Sequence, residues 1–298
     1  MNNDILYCFH LEDDSESFDL APELLAGLEL DFSSFENRED GTFIHTVYSL
    51  TKELAEENLN RVKENLPLWL EFGAELEAGE IYELAKAEWA EAWKKFFKPL
   101  EISDTLIVRP SWETAETKPG QAVLTIDPGM SFGTGQHATT FYCLKVIDRL
   151  AGTPGIESML DAGSGSGILA IAAGLRGYKK IDAFDFDPDA VRVSKENIAM
   201  NNLDNIVPEV GNAENYAGDP AGYDLVCANI LGHLLKAYSK NIVTWVKPGK
   251  YLALAGILNA EFDGVSEVFT ALGFEEIERF SLKEWTSGLF KKISRCSR

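Results

Sequence analysis

The sequence predicts an α/β protein: a mostly parallel sheet with helices on both faces and a reversed last strand, preceded by a small α+β domain. Three observations predict it. From about residue 106 onward, short apolar strand-like runs alternate with helical ones, the texture of a parallel sheet. The last two strand-like runs, 274–280 and 287–293, are joined by too few residues for a parallel crossover and must pair antiparallel. The first 66 residues differ again, with 16 Asp and Glu against 4 Lys and Arg.

Residues 5–10 read as a strand and 21–28 as a short helix. The run 42–50 (TFIHTVYSL) is rich in β-branched and aromatic residues and reads as a second strand. Thr51 is placed to cap a helix reaching about residue 66, with Leu54, Ala55, Leu59, Val62 and Leu66 along one face. Residues 68–72 then read as a closing strand. From 79 to 97 the apolar residues, Trp89, Trp93, Phe96 and Phe97 among them, recur at three- and four-residue steps until Pro99 stops the run. That segment reads as a connecting helix whose aromatic stripe is a packing surface. The implied organisation is an N-terminal domain over 1–78, a helical linker over 79–104 and a larger domain over 105–298. In the larger domain, strands are predicted at 158–162, 181–184, 206–210, 223–228 and 251–255. Helices are predicted at 168–175, 189–201, 231–246 and 260–272.

The net charge of −21 argues against free DNA or RNA as a partner, because nucleic-acid binders need a basic footprint. The acidic surface reads either as a solubilising face or as a docking face for a basic partner. Cys8, Cys143, Cys227 and Cys296 are scattered without a CxxC pair, which fits reduced thiols rather than a zinc site or a disulfide framework. Residues 1–14 lack the charged start and apolar run of a secretory signal, and no stretch reaches the length of a membrane-spanning helix. A cytoplasmic protein without a membrane is the expectation.

The residues that carry chemistry begin at Asp161-Ala162-Gly163-Ser164-Gly165-Ser166-Gly167, which follows an apolar strand and opens a helix. Glycines there permit positive φ and a close backbone approach to a ligand. The spacing is G-x-G-x-G. Ile168 stands where a dinucleotide fingerprint needs its third glycine, and no Gly-Lys-Ser/Thr suggests a nucleoside triphosphate. Asp185 ends the next strand about twenty residues on, where a carboxylate accepts hydrogen bonds from a ribose diol. Asp187-Pro188 starts the following helix as N-cap and first-turn proline. Asn212-Ala213 falls in the loop where an adenine would sit. Ala228-Asn229-Ile230-Leu231 lies at the C-terminal end of a strand, on the ligand edge of such a sheet, where Asn229 reads either as turn punctuation or as an amide that orients an attacking amine. Upstream, the glycine-rich run 127–140 enters a helix directly, a loop costly to order without a ligand to cover. With four histidines far apart, a metal role for His137 is not expected.

These runs, together with EWAEAWKKFFKP at 88–99, PSWE at 110–113, Ala255-Gly256-Ile257-Leu258 and Glu284-Trp285, resemble the ribosomal protein L11 methyltransferases over roughly residues 79–298. The resemblance implies a Rossmann-like methyltransferase sheet with a small N-terminal ferredoxin-like domain, and S-adenosyl-L-methionine as cofactor. It implies that Thr140, Gly163, Asp185 and Asn229 contact that cofactor, with Asp161, Gly165 and Gly133 completing the set. Phe132 and Gly133 would line the methyl-transfer cavity, with Phe132 and Asn229 at the reacting atoms. The N-terminal domain would recognise the ribosomal protein. Gln136, Ala138, Ser164 and Gly232 depart from the family's usual residues without removing a polar contact in this set.

The chemistry expected is in-line transfer of a methyl group to a neutral lysine or chain-terminal amine of a basic ribosomal protein, free or on the ribosome. Two other readings stay open: a methyltransferase for a different protein or small molecule, and a module that binds the cofactor without turnover. Ile168 and the reversed final strand speak against a nicotinamide dehydrogenase. Asn229-Ile230-Leu231-Gly232 lacks the Asn-Pro-Pro-aromatic run of enzymes that methylate base amines.

Overall fold

The computed structural model describes residues 5–13, 20–28, 30–36, 43–85, 98–127 and 137–294. The chain divides into two compact units, residues 1–96 and 97–298.

The first unit opens on β1 (Ile5–Asp13), followed by α1 (Leu20–Gly27), β2 (Phe32–Glu36), β3 (Phe43–Ser49), α2 (Lys52–Glu71), β4 (Leu76–Ala78) and β5 (Tyr82–Ala85). The order β2-β3-β1-β4, antiparallel throughout, with helices after β1 and β3, is the ferredoxin-like arrangement. Its core is closed by Phe9, Leu11, Leu25, Val47, Val62 and Trp69. Thr51 caps α2 as expected, its Oγ1 accepting from the Leu54 amide at 3.2 Å.

Three readings of this region need correction. The segment 68–72 is not a strand, because α2 runs on through Pro67 to Glu71. The buried positions Ala55, Asn58, Leu59, Val62 and Trp69 keep one helical stripe across the proline, so packing outweighs its missing N–H. Leu54 is exposed rather than on that face. Residues 82–85 form β5, which pairs with β1, instead of the first turn of a connecting helix; there the Tyr82 ring packs on His10, centroids 4.7 Å apart. The aromatic stripe at 89–97 lies outside the described residues.

The second unit starts with a small sheet of β6 (Leu100–Ser103), β7 (Leu106–Arg109) and β8 (Ala122–Thr125). β6 falls inside the span expected to be linker. The main sheet follows. Its elements are α3 (Ala138–Leu150), β9 (Ser158–Ala162), α4 (Ile168–Leu175), β10 (Lys180–Asp185), α5 (Pro188–Met200), β11 (Pro208–Val210) and β12 (Tyr223–Asn229). Then come α6 (Gly232–Ala237), α7 (Ser239–Trp245), β13 (Val246–Leu258), α8 (Asn259–Ala271), β14 (Phe274–Leu282) and β15 (Trp285–Lys292). The stretch 231–246, expected as one helix, is two helices meeting at Tyr238.

The seven strands run β11-β10-β9-β12-β13-β15-β14, and β15 is the reversed strand, antiparallel to both neighbours. β9 is buried along its whole length, as a central parallel strand covered on both faces must be. Two apolar clusters fill the space on either face, one around Leu144, Met159 and Ile171, the other around Val226, Trp245 and Phe290. The chain leaves β9 toward β10 on one side and returns through β12 on the other. That reversal opens a crevice at the C-terminal ends of β9 and β12.

Candidate active site

The turn after β9 is built by its glycines. Gly163, Gly165 and Gly167 have φ of +79°, +51° and +80°, values L side chains rarely adopt. A Cβ on Gly163 would also come within 2.5 Å of Ile230 Cγ2, so the backbone runs bare past the segment following β12. The turn is tied to the neighbouring strand, the Phe184 carbonyl accepting from the amides of Gly163 and Ser164, both at 2.9 Å. Asn197 of α5 donates to the Ser166 carbonyl at 2.8 Å.

Asp185 completes the frame. Its Oδ2 accepts from the Gly165 amide at 2.8 Å and its Oδ1 from the Asp187 amide at 3.0 Å. A carboxylate has about four lone-pair sites, so each oxygen keeps acceptor capacity while the group is held rigid. Asp187 caps α5 through the Asp189 amide at 2.9 Å, with Pro188 beginning the helix, so its role is the capping one. Asp161 lies behind the turn, fully buried. Its Oδ2 accepts from the Ala170 amide at 3.1 Å, whereas Oδ1 has no partner. Burial, and secondarily the Asp185 charge, push its pKa up to about 7.

A cavity of about 330 Å³ opens over this frame. That volume falls within the range of small-ligand sites. Gly163, Ser164, Gly165 and Asp185 form its floor; Thr140, at the start of α3, and Asn229, at the end of β12, stand side by side on its wall. Asn229 Nδ2 donates to Thr140 Oγ1 at 3.4 Å, which leaves the Asn229 carbonyl oxygen as an acceptor. Ser164 Oγ is buried without a partner. Among the described residues of the lining, Asp185 is the one acidic side chain and there is neither Lys nor Arg, a balance that favours a cation over an anion.

The structure thus gathers Thr140, Gly163, Gly165, Asp185 and Asn229 around one cavity and sets Asp161 beneath it. Phe132 and Gly133 lie outside the described residues, as do Gln136 and most of the glycine-rich loop. The described ends of that loop are anchored. Asp127 accepts from the Ser111 amide at 2.6 Å and its hydroxyl at 2.8 Å, and His137 enters α3.

Sequence reasoning assigned no site role to Ile230, Gly256 or Trp285, all on the lining. Gly256 carries a readable signal, since glycine inside a strand marks a bulge or a close approach. Its φ is +81°, and a Cβ there would meet the Ile230 carbonyl oxygen at 2.7 Å. No group of three or more His, Cys, Asp or Glu able to hold a metal occurs among the described residues.

Residues 29–292 match the family model described as ribosomal protein L11 methyltransferase (PrmA). The chain is 32% identical over 251 residues to the ribosomal protein L11 methyltransferase of Bacillus cytotoxicus, covering 83% of this chain and 79% of that protein. It is 37% identical over 237 residues to the protein of that name from Streptococcus thermophilus, covering 78% and 73%. Among solved structures it is similar in fold to a ribosomal protein L11 methylase from Lactobacillus delbrueckii subsp. bulgaricus. There the TM-score is 0.60 at 24% identity, over 66% of this chain and all of that one. With its parallel sheet, reversed strand and glycine turn facing Asp185, this chain belongs to the ribosomal protein L11 methyltransferase family of S-adenosylmethionine-dependent enzymes.

Proposed function

We propose that this chain methylates lysine or chain-terminal amines of ribosomal protein L11 in the cytoplasm, using the cavity above the Asp161–Gly167 turn. The observation that carries the reading is the pairing of the turn with Asp185, whose pinned carboxylate is presented at the crevice edge of the sheet. Asp185 receives the ribose hydroxyls of the cofactor. Gly163 and Gly165 let its amino-acid end approach the backbone, and Ser164 Oγ and Thr140 supply further polar contacts. S-Adenosylmethionine, when bound, supplies a methyl group on a positively charged sulfur. An electronegative cavity suits such a ligand, and the residues present fit it.

The protein's contribution to the transfer is positioning and exclusion of water. An amine must be neutral to attack, and an apolar wall that includes Ile168, Leu169 and Leu234 raises the cost of keeping it charged. Asn229 Oδ1 accepts from the entering amine. The N-terminal unit, with its excess of carboxylates, is the recognition element for a basic protein.

The test is a purified reaction. With L11 and cofactor, the wild-type protein is expected to add methyl groups that peptide mass spectrometry places on lysine or N-terminal amines. Unmodified L11 alongside measurable cofactor affinity would contradict the acceptor. A labelled different protein would move the substrate assignment to the second reading.

A further inference from the structure

The N-terminal unit carries a cluster of side chains that the transfer mechanism leaves unused. Three strands bring it together. In the register of the sheet, Leu11 of β1 stands opposite His45 of β3, and His45 stands opposite Ser34 of β2. Asp13, two residues beyond Leu11, shares that face, because side chains along a strand alternate. His45 Nδ1 and Ser34 Oγ lie 2.7 Å apart, and His45 Nε2 and Asp13 Oδ2 lie 3.2 Å apart. The imidazole and the carboxylate are both fully buried, whereas Ser34 is exposed.

The direction of each hydrogen bond follows from what each group can do. The Asp13 carboxylate only accepts, so it takes the hydrogen on His45 Nε2. In the neutral ring Nδ1 then keeps its lone pair and accepts from the Ser34 hydroxyl. A hydroxyl held by a ring nitrogen, with the ring oriented by a buried carboxylate, is the arrangement of an activated nucleophile. Packing alone does not call for it, since apolar residues of similar volume often replace a buried polar pair at no loss of stability. The backbone adds a further component. The Tyr48 amide donates to the Asp31 carbonyl at 2.9 Å, which makes these two a hydrogen-bonded pair of the β2–β3 ladder. Alternation along an antiparallel ladder then puts Ser34 in a non-hydrogen-bonded pair, with its N–H turned away from β3. That amide stands beside its own Oγ, placed to receive the negative charge that develops on an attacked carbonyl oxygen.

We propose that Ser34 is a nucleophilic serine that hydrolyses small activated esters, with His45 as its base and Asp13 as the positioning residue. Its exposed place on β2 admits such a donor directly from solvent. Ser34 Oγ attacks the carbonyl carbon as its proton passes to His45 Nδ1. The C–O bond to the leaving alcohol breaks, and His45 gives the proton to that oxygen. Water then attacks the acyl carbon and passes a proton to His45. The bond to Ser34 Oγ breaks, the carboxylic acid leaves, and the serine recovers its proton from the ring. The sum is ester plus water giving acid plus alcohol, with nothing oxidised or reduced.

Fluorophosphonate labelling of the full chain, read by peptide mass spectrometry, tests this. In that reaction the serine oxygen bonds to phosphorus as fluoride leaves. Ser33 is an internal control. It is exposed on the same strand, but its hydroxyl meets the Tyr48 hydroxyl at 2.7 Å instead of an imidazole. Ser34 is expected to be labelled roughly 100-fold faster than Ser33, and His45→Gln is expected to bring the two rates together. p-Nitrophenyl acetate is expected to be hydrolysed by the wild type and not by Ser34→Ala. A wild type with no adduct on Ser34, or with both serines labelled equally, overturns the proposal without any variant having to fold. So does Ser34 labelled as fast in His45→Gln as in the wild type, or equal ester hydrolysis by the wild type and Ser34→Ala.

Discussion

At the scale of single residues, a few side chains have surroundings that leave them one use. Asp185 is pinned by two amides and faces the cavity. Asp185→Ala is expected to weaken cofactor binding by about 100-fold or more, two charge-assisted hydrogen bonds' worth, with the circular dichroism spectrum retained; calorimetric titration checks it. Gly163→Ala forces a Cβ into Ile230 at positive φ. It is expected to cost about 1–3 kcal/mol of stability and to weaken cofactor binding, measured by urea unfolding and titration. Asp161 gives a pH signature. Its folded pKa of about 7 exceeds the ordinary carboxylate value, because burial penalises the charged form. The native state therefore holds the proton more tightly, and stability falls as pH rises from about 4 to about 7. The difference amounts to at most about 4 kcal/mol. Unfolding of wild type and Asp161→Asn at pH 5 and pH 8 is expected to show that decline only in the wild type. The glycines and Asp185 were legible in the sequence because their jobs are local: positive φ in a turn, a carboxylate at a strand end. Trp285 and Ile230 were not, because they reach the cavity only when β15 and the end of β12 are brought to it by the sheet.

At the scale of elements, long periodic segments read well and short or interrupted ones did not. The central strands and α4, α5 and α8 fall within a few residues of their expected positions, because each is a continuous apolar run bounded by turn residues. β2 was missed since FSSFE has little alternation, and it is a strand because β3 offers it a ladder. The small sheet of β6, β7 and β8 is made of four-residue strands too short to show a period. α2 was cut short at Pro67, where local chemistry says stop and the buried stripe through Trp69 says continue. That conflict has a measurable cost. Pro67 is exposed in the helix interior, so Pro67→Ala is expected to stabilise the N-terminal unit by about 1–3 kcal/mol. Thermal unfolding of the full chain checks it. A lower midpoint would mean that the proline stiffens the unfolded chain more than it strains the helix.

At the scale of the whole molecule, charge and architecture divide the work. The second unit contains the cavity and its frame, and the first carries the denser share of carboxylates on a ferredoxin-like sheet. No helix among the described residues is long and apolar enough to cross a membrane. If carboxylates steer a basic protein, kcat/KM for that protein is expected to fall roughly tenfold or more between low and high salt, while cofactor affinity changes little. Equal salt dependence of the two would remove steering from the account. Transfer of methyl groups from this cavity to one ribosomal protein can be read by incubating the wild-type chain with methyl-labelled cofactor and a lysate of its own source, with and without ribosomes. Label is expected in a single band, that of L11, depleted when ribosomes and their proteins are removed and absent with Asp185→Ala. Label spread over unrelated proteins, or label that persists with Asp185→Ala, would contradict it.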